Sequence, residues 1–226
     1  DDPDAVEDTM NRFMAYLDPE GTWAKQNEEN EGAINNASLL TEASLAYLSN
    51  VYHVRAQNEG NTSDYEKAAG YYERFVERFP NKSASFDMNY LLGEIYLFDL
   101  KQLDKAAAQY QKVVDLYKAD KIPDGVKEKE AEKIVKDSAY AVVNAYNELV
   151  KANCDDSILV RMAKVAEKSK DGVYQTNEKM EIAGGEVPPP NPKVDIAAEC
   201  QYELGFVEAS DQWSEMYPKD DATPTV

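Results

Sequence analysis

The chain has 226 residues, of which 43% are hydrophobic and 30% are charged, a mixture typical of folded globular proteins. Its 43 acidic and 24 basic residues give a net charge of −19, which disfavours nucleic acid and anionic membranes as partners. A basic protein or peptide is easier to recruit, although the acidity could also only keep a large helical surface soluble. No apolar run approaches the roughly 18 residues of a membrane span, so none is predicted.

Apolar residues follow helical spacing from the N-terminus onward. A first helix carries Val6, Met10 and Phe13 on one face and ends near residues 18–21. After a polar stretch, a longer helix is predicted at about 36–57. Residues 1–35 are therefore predicted to be a helical cap or the end of a preceding repeat.

The most informative feature is a stripe of seven apolar positions that recurs 38 residues further along the chain. The first copy is Tyr65, Ala68, Ala69, Tyr72, Phe75, Val76 and Phe79. The second copy is Leu103, Ala106, Ala107, Tyr110, Val113, Val114 and Tyr117. Two stripes in register indicate a repeated helical unit. The first stripe follows a predicted capping box at Ser63 and Glu66.

The helices before the two stripes repeat as well. Their shared spacing is seen in Leu45, Leu48, Ser49 and Tyr52, and again in Asn89, Leu92, Gly93 and Tyr96. The small residue, Ser49 or Gly93, would let two helix backbones approach closely. Residues 36–123 are therefore predicted to form two helix pairs.

The rest of the chain is less regular. Residues 124–170 are predicted to form a third, degenerate pair, with a first helix at about 128–152 and a short stripe, Ile158 to Ser169, in its second part. Val143 takes the place of the small residue, so close packing is not expected there. Residues 171–193 are predicted to be a Gly/Pro-rich stiff spacer, and 194–226 the helix of a further, truncated repeat. We expect more repeats to follow.

These segments resemble the tetratricopeptide repeat, in which a Leu-Gly-x-x-Tyr helix precedes an Ala-x-x-x-Tyr helix and a proline. Leu92, Gly93 and Tyr96 fit the first pattern, and one extra residue separates Tyr96 from Ala106. The resemblance implies an all-α fold, a right-handed superhelical solenoid of antiparallel helix pairs.

The helix ends Phe79-Pro80 and Tyr217-Pro218 resemble those of bacterial outer-membrane assembly lipoproteins and large periplasmic repeat proteins. This resemblance implies a location in the bacterial periplasm or on the periplasmic face of the outer membrane. The cytoplasm is the alternative.

The resemblance also implies a concave groove, lined by the first helix of each pair, that binds a protein or peptide. Carried over residue by residue, the groove positions are Ala46, Asn50, His53, Tyr90, Glu94 and Leu97. Because this set lacks the basic residues that clamp a carboxylate, a mixed apolar and acidic groove is expected.

Catalytic chemistry is not predicted. The only histidine, His53, is interpreted as a half-exposed polar helix residue, and no catalytic, cofactor-binding or metal site is proposed. Cys154 and Cys200 have no CxxC motif and no nearby histidine, so they form one disulfide or lie buried apart.

The sequence therefore predicts a non-catalytic interaction scaffold of a bacterial envelope assembly. Two alternatives stay open. One is a rigid spacer arm without its own ligand. The other is a carbohydrate-capture lipoprotein with embedded repeats, which would expose aromatic platforms, although Trp23 and Trp213 look structural or peripheral.

Overall fold

Helices account for most of the chain that the computed structural model describes, residues 3–154 and 200–220, and no strand occurs there. The all-α prediction is confirmed. The predicted stripe from Ile158 and the predicted spacer at 171–193 lie outside the described residues. The helices are α1 (Pro3–Tyr16), α2 (Thr22–Gln26), α3 (Glu31–Glu59), α4 (Thr62–Arg78), α5 (Ser83–Glu94), a π-helical turn (Ile95–Asp99), α6 (Leu103–Lys118), α7 (Glu128–Asn153) and α8 (Gln201–Met216).

The chain divides into two compact units, Asp1–Ser138 and Ala139–Val226. In the first unit α3 packs against α4 and α5 against α6, with α4 and α5 in contact between the pairs. The predicted domain boundaries inside these units stay a prediction.

The cap at the end of α3 and the cap at the start of α4 explain where the chain turns between these two helices. Helix α3 ends at Glu59 and is capped by Gly60, whose φ of 66° is accessible to glycine without strain. The side chain of Asn61 then accepts a hydrogen bond from the amide of Ser63 and caps α4. The predicted capping box at Ser63 and Glu66 is therefore wrong, because the N-cap is Asn61, two residues before Ser63.

The two repeated stripes form the core of the first unit. Six of the seven residues in the first stripe are buried, and Tyr65 is half-buried. Five of the seven in the second stripe are buried, whereas Leu103 is half-buried and Tyr117 is 37% exposed. The facing helices contribute Leu48, Tyr52 and other residues that are fully buried. The stripes on α4 and α6 therefore recur at a fixed offset because both helix pairs use the same packing arrangement.

A close approach holds α5 against α6. A Cβ atom placed on Gly93 would lie 2.8 Å from a ring carbon of Tyr110, a distance that side chains do not tolerate. Tyr110 itself is fully buried. Gly93 therefore allows the Tyr110 ring to rest on the α5 backbone, as the sequence predicts for this small residue.

The extra residue between Tyr96 and Ala106 is accommodated by the π-helical turn. The amide of Leu100 donates to the carbonyl of Ile95, five residues earlier, at 2.9 Å. Lys101 then adopts a left-handed φ of 54° before α6 begins. The insertion thus widens one turn and leaves the α5–α6 packing in place.

The second unit contains an antiparallel helix pair formed by the second half of α7 and α8. Cys154, after α7, forms a disulfide with Cys200, before α8, and their Cα atoms are 5.8 Å apart. Tyr140 lies edge-on to Trp213, with ring centroids 5.4 Å apart. A Cβ atom on Gly205 would overlap the ring of Tyr146. The close approach of this pair therefore uses a glycine of α8, not position 143 of α7.

We expect Gly93→Ala to lower the free energy of unfolding by about 1–3 kcal/mol, because the added methyl displaces the Tyr110 ring. The matched control is Gly70→Ala within α4, where a Cβ atom would meet nothing within 4 Å. That substitution should stabilise by about 0.5–1 kcal/mol through helix propensity. Urea unfolding with an unchanged m-value measures both. Equal effects at the two positions would contradict the packing role of Gly93.

Reduction of the Cys154–Cys200 disulfide should lower the stability of the second unit by roughly 2–4 kcal/mol, since the bridge spans 46 residues of sequence. Thermal unfolding of the oxidised protein, the reduced protein and a Cys154→Ser, Cys200→Ser variant measures this loss. The variant should match the reduced protein and be insensitive to reductant. Two free thiols in the denatured, unreduced protein would contradict the pairing.

Candidate functional site

The predicted groove residues of the second pair lie along α5 and the turn that follows it. Tyr90, Glu94 and Leu97 are all half-buried. The Tyr110 hydroxyl donates a short hydrogen bond to Glu94. The rings of Tyr90 and Tyr110 meet edge-on, with centroids 5.8 Å apart. The α6 tyrosine therefore positions both side chains from below and leaves their outer edges accessible.

Carboxylates gather around Tyr90. Burial, and after it the negative charges of Glu94 and Asp137, raises the pKa of Tyr90 to about 12. Asp87 lies at the surface, and desolvation by the surrounding protein, followed by the neighbouring Glu130 carboxylate, raises its pKa above the ordinary value. Like charges that disfavour one another's ionisation form a site that a cation would stabilise. We call this surface the acidic face and define it by Asp87, Tyr90, Glu94, Glu130 and Asp137.

Sequence reasoning found Tyr90 and Glu94 and missed the other three residues of the acidic face. The missing signal was a seven-residue spacing. Asp87 precedes Glu94 by seven positions, and Glu130 precedes Asp137 by seven, so each pair lies on one side of its helix. The meeting of α5 with α7 is a tertiary feature, which no local pattern reports.

The α3 groove residues are placed differently. Asn50 is exposed and Ala46 is half-buried, but His53 is only 9% exposed. The interpretation of His53 as half-exposed is therefore wrong, because the helix turns its ring toward Tyr72 of α4. Burial lowers the pKa of His53, and the charge of Asp99 at the end of the π-helical turn opposes this shift. The charge of Asp99, which lies in the turn after α5, therefore acts on a residue of α3.

The contacts of His53 favour packing over catalysis. Its Nδ1 lies 3.2 Å from the Tyr72 hydroxyl, and its Nε2 lies 3.1 Å from the Gln57 amide nitrogen. Each ring nitrogen thus has a partner, and neither is a serine or cysteine. Within residues 3–154 and 200–220, no three His, Cys, Asp or Glu side chains form a group suited to a metal ion. None of the described helices is both long and apolar enough to span a bilayer.

Two other parts of the described surface lack the features of a reactive or sugar-binding site. The residues that line an open pocket of about 490 Å³ beside α4, α5 and α6 include Val76, Leu116, Lys112 and Asp115. Its composition suits an apolar side chain better than a reacting group. Trp213 is 1% exposed and so offers no platform for a sugar.

Comparison with known families identifies the repeated unit. One family model described as tetratricopeptide repeat matches residues 54–82, and another with the same description matches residues 86–120. These matches support the tetratricopeptide repeat family. They also confirm the predicted helical-repeat fold class. The chain has no match among the curated proteins and none among the solved structures.

The first tetratricopeptide match spans the end of α3, all of α4 and Pro80. The second spans most of α5, the π-helical turn and α6. Tyr90, Glu94 and Leu97 therefore lie inside a matched repeat, whereas Ala46, Asn50 and His53 precede the first matched residue. Tetratricopeptide repeats indicate a protein partner.

A separate charged cluster docks α1 onto the first repeat. Asp4 accepts hydrogen bonds from Arg55 and from Lys67, both at 2.9 Å. Glu7 accepts from Lys67 at 2.8 Å and from the Tyr71 hydroxyl at 2.6 Å. Hydrogen bonds from Arg55 and Lys67 lower the pKa of Asp4 well below its ordinary value. The cluster connects α1, α3 and α4 and serves docking of α1, and its five residues include no serine, cysteine or histidine.

This docking should weaken in acid. A carboxylate whose folded pKa is lowered stabilises above its unfolded pKa of about 4, and the stabilisation is lost as pH falls below that value. Asp4→Asn should therefore lower the melting temperature at about pH 7, and this difference should shrink toward about pH 2–3. Asp8→Asn on the same helix is the control, since Asp8 is 79% exposed. A difference that stays constant with pH would contradict the assignment.

Proposed function

We propose that this protein is a non-catalytic, protein-binding scaffold whose acidic face holds a basic segment of its partner. The observation that carries the proposal is the acidic face itself. Its residues Asp87, Tyr90 and Glu94 lie on the first helix of a matched tetratricopeptide repeat, and Glu130 and Asp137 are contributed by α7. The repeat supports a protein as the partner, and the four carboxylates of the acidic face support a basic one.

The chemistry of the face suits lysine or arginine. Desolvation and the neighbouring Glu130 carboxylate both raise the pKa of Asp87, so the two carboxylates repel one another. A cation placed between these carboxylates would relieve the repulsion. The half-buried Tyr90 ring adds a surface for a cation–π contact. A guanidinium or ammonium group would thus be stabilised both by the carboxylates and by the Tyr90 ring.

We further propose an extracytoplasmic location in the bacterial envelope, in the periplasm or on the periplasmic face of the outer membrane. The Cys154–Cys200 disulfide supports an oxidising compartment. The resemblance of the Phe79-Pro80 and Tyr217-Pro218 helix ends to envelope repeat proteins supports the same location.

The test is capture of a partner from envelope extract of the source cells, with the full chain as bait, at low and high salt. A stoichiometric partner should be retained at low salt and lost at high salt, because salt screens the acidic face. Binding of the recovered partner should then weaken about tenfold or more in the Asp87→Lys, Asp137→Lys variant.

The matched control is Glu66→Lys, Glu132→Lys, which changes the net charge by the same amount. Glu66 lies on α4, and Glu132 lies about 200° around α7 from Glu130. All four substituted residues are exposed. Equal losses in both variants would assign binding to overall charge and refute the acidic face. Failure to retain any partner would favour the spacer-arm alternative.

A further inference from the structure

Helix α3 carries a second face that the repeat packing does not use. Between residues 40 and 57 of this helix, the exposed positions are spaced alternately three and four residues apart, and position 36 continues the pattern. This spacing is the seam of a helix that packs lengthwise against another helix. We call it the uncharged stripe. Its members are Asn36, Leu40, Ala43, Tyr47, Asn50, Val54 and Gln57.

The stripe exposes three large apolar or aromatic side chains. Leu40 is 49% exposed, Tyr47 39% and Val54 46%, and the adjacent Leu39 is 57% exposed. Leu40, Tyr47 and Val54 are seven residues apart, so they lie on one side of the helix at every second turn. Exposed apolar patches of this kind mark interaction surfaces.

Charge is almost absent from this part of the helix. Residues 32–58 contain only Glu42 and Arg55 as charged residues, in a chain that is 30% charged. Glu42 pairs with Lys82 at 2.9 Å, and Arg55 pairs with Asp64 at 2.6 Å, so both charges are used within the first unit. A partner lying on the stripe would therefore bury no charge.

The order of side chains is self-complementary. In an antiparallel arrangement about a two-fold axis beside residue 45, each large side chain of one helix faces a small or polar one of the other. Such isologous pairing brings the same surface of both copies together. The facing pairs are Asn36 with Val54, Leu40 with Asn50 and Ala43 with Tyr47.

We propose that the uncharged stripe is a homodimer interface, in which α3 of two copies of this chain pack antiparallel. The occupant is a second copy because the pattern complements itself. A basic partner, by contrast, would find no carboxylate on the stripe. The interface is also separate from the acidic face on α5.

The dimer is weak and favoured by salt. The paired region, residues 36–54, is about 28 Å long and one helix wide, which is below the size of a standard interface. We expect a dissociation constant on the order of 10 μM. Each copy carries a net charge of −19, so salt screens the repulsion between copies and strengthens the dimer. Partner binding at the acidic face should respond to salt in the opposite direction.

Sedimentation velocity of the full chain, from about 1 to about 500 μM at low and high salt, tests the proposal. Tyr47→Glu should raise the dissociation constant at least about tenfold, because it buries an unpaired charge. Tyr117→Glu on α6 is the control, since Tyr117 is 37% exposed and Tyr47 is 39% exposed. It should leave the dissociation constant unchanged. Circular dichroism confirms that both variants fold.

A second variant distinguishes specific pairing of the two α3 helices from non-specific association. Ala43→Tyr adds apolar surface at an exposed position, so non-specific association would increase. In the antiparallel register it sets tyrosine against Tyr47 of the other copy, and the dissociation constant should rise several-fold. Monomers at every concentration, an unaffected Tyr47→Glu variant, or tighter association of Ala43→Tyr would each overturn the proposal.

Discussion

In each unit an aromatic ring rests on a glycine of the neighbouring helix, where no side chain could fit. In the first unit the ring of Tyr110 lies on Gly93, and in the second the ring of Tyr146 lies on Gly205. The first contact also sets the candidate site, because the Tyr110 hydroxyl bonds to Glu94 and its ring supports Tyr90. The same contact therefore sets both the packing of α5 against α6 and the position of the candidate binding site. A change in the distance between these two helices would also move the carboxylates of the site.

Much of the fold could be predicted, because in helical repeats the residues that pack against the neighbouring helix recur at a fixed spacing in the sequence. The two stripes on α4 and α6, and the small residue at Gly93, were visible as spacing alone. The partner of α7 was not visible. Its partner helix α8 begins directly after Cys200, which is 46 residues beyond Cys154, and the glycine lies on α8 rather than at position 143. Two helices that are far apart in the sequence can pair without any periodic sequence pattern that connects them.

The candidate site was predictable only in part, for the same physical reason. Tyr90 and Glu94 followed from their places in the repeat, whereas Asp137 belongs to the site because α7 folds back beside α5. His53 shows the reverse case, since its helical position suggested partial exposure but the α4 tyrosines enclose it. The uncharged stripe on α3 escaped notice because apolar residues on two faces of one helix cancel as a sequence signal.

The π-helical turn after α5 has a consequence for how this chain could have changed over generations. One residue gained inside an α-helix rotates everything beyond it by about 100° and would carry the core face of the next segment into solvent. Here the extra residue is contained within Ile95–Asp99, so the stripe on α6 keeps its orientation toward α5. Ancestral insertions at that point could therefore persist without a compensating change elsewhere, which makes the turn a site where repeats of one lineage are free to diverge in length.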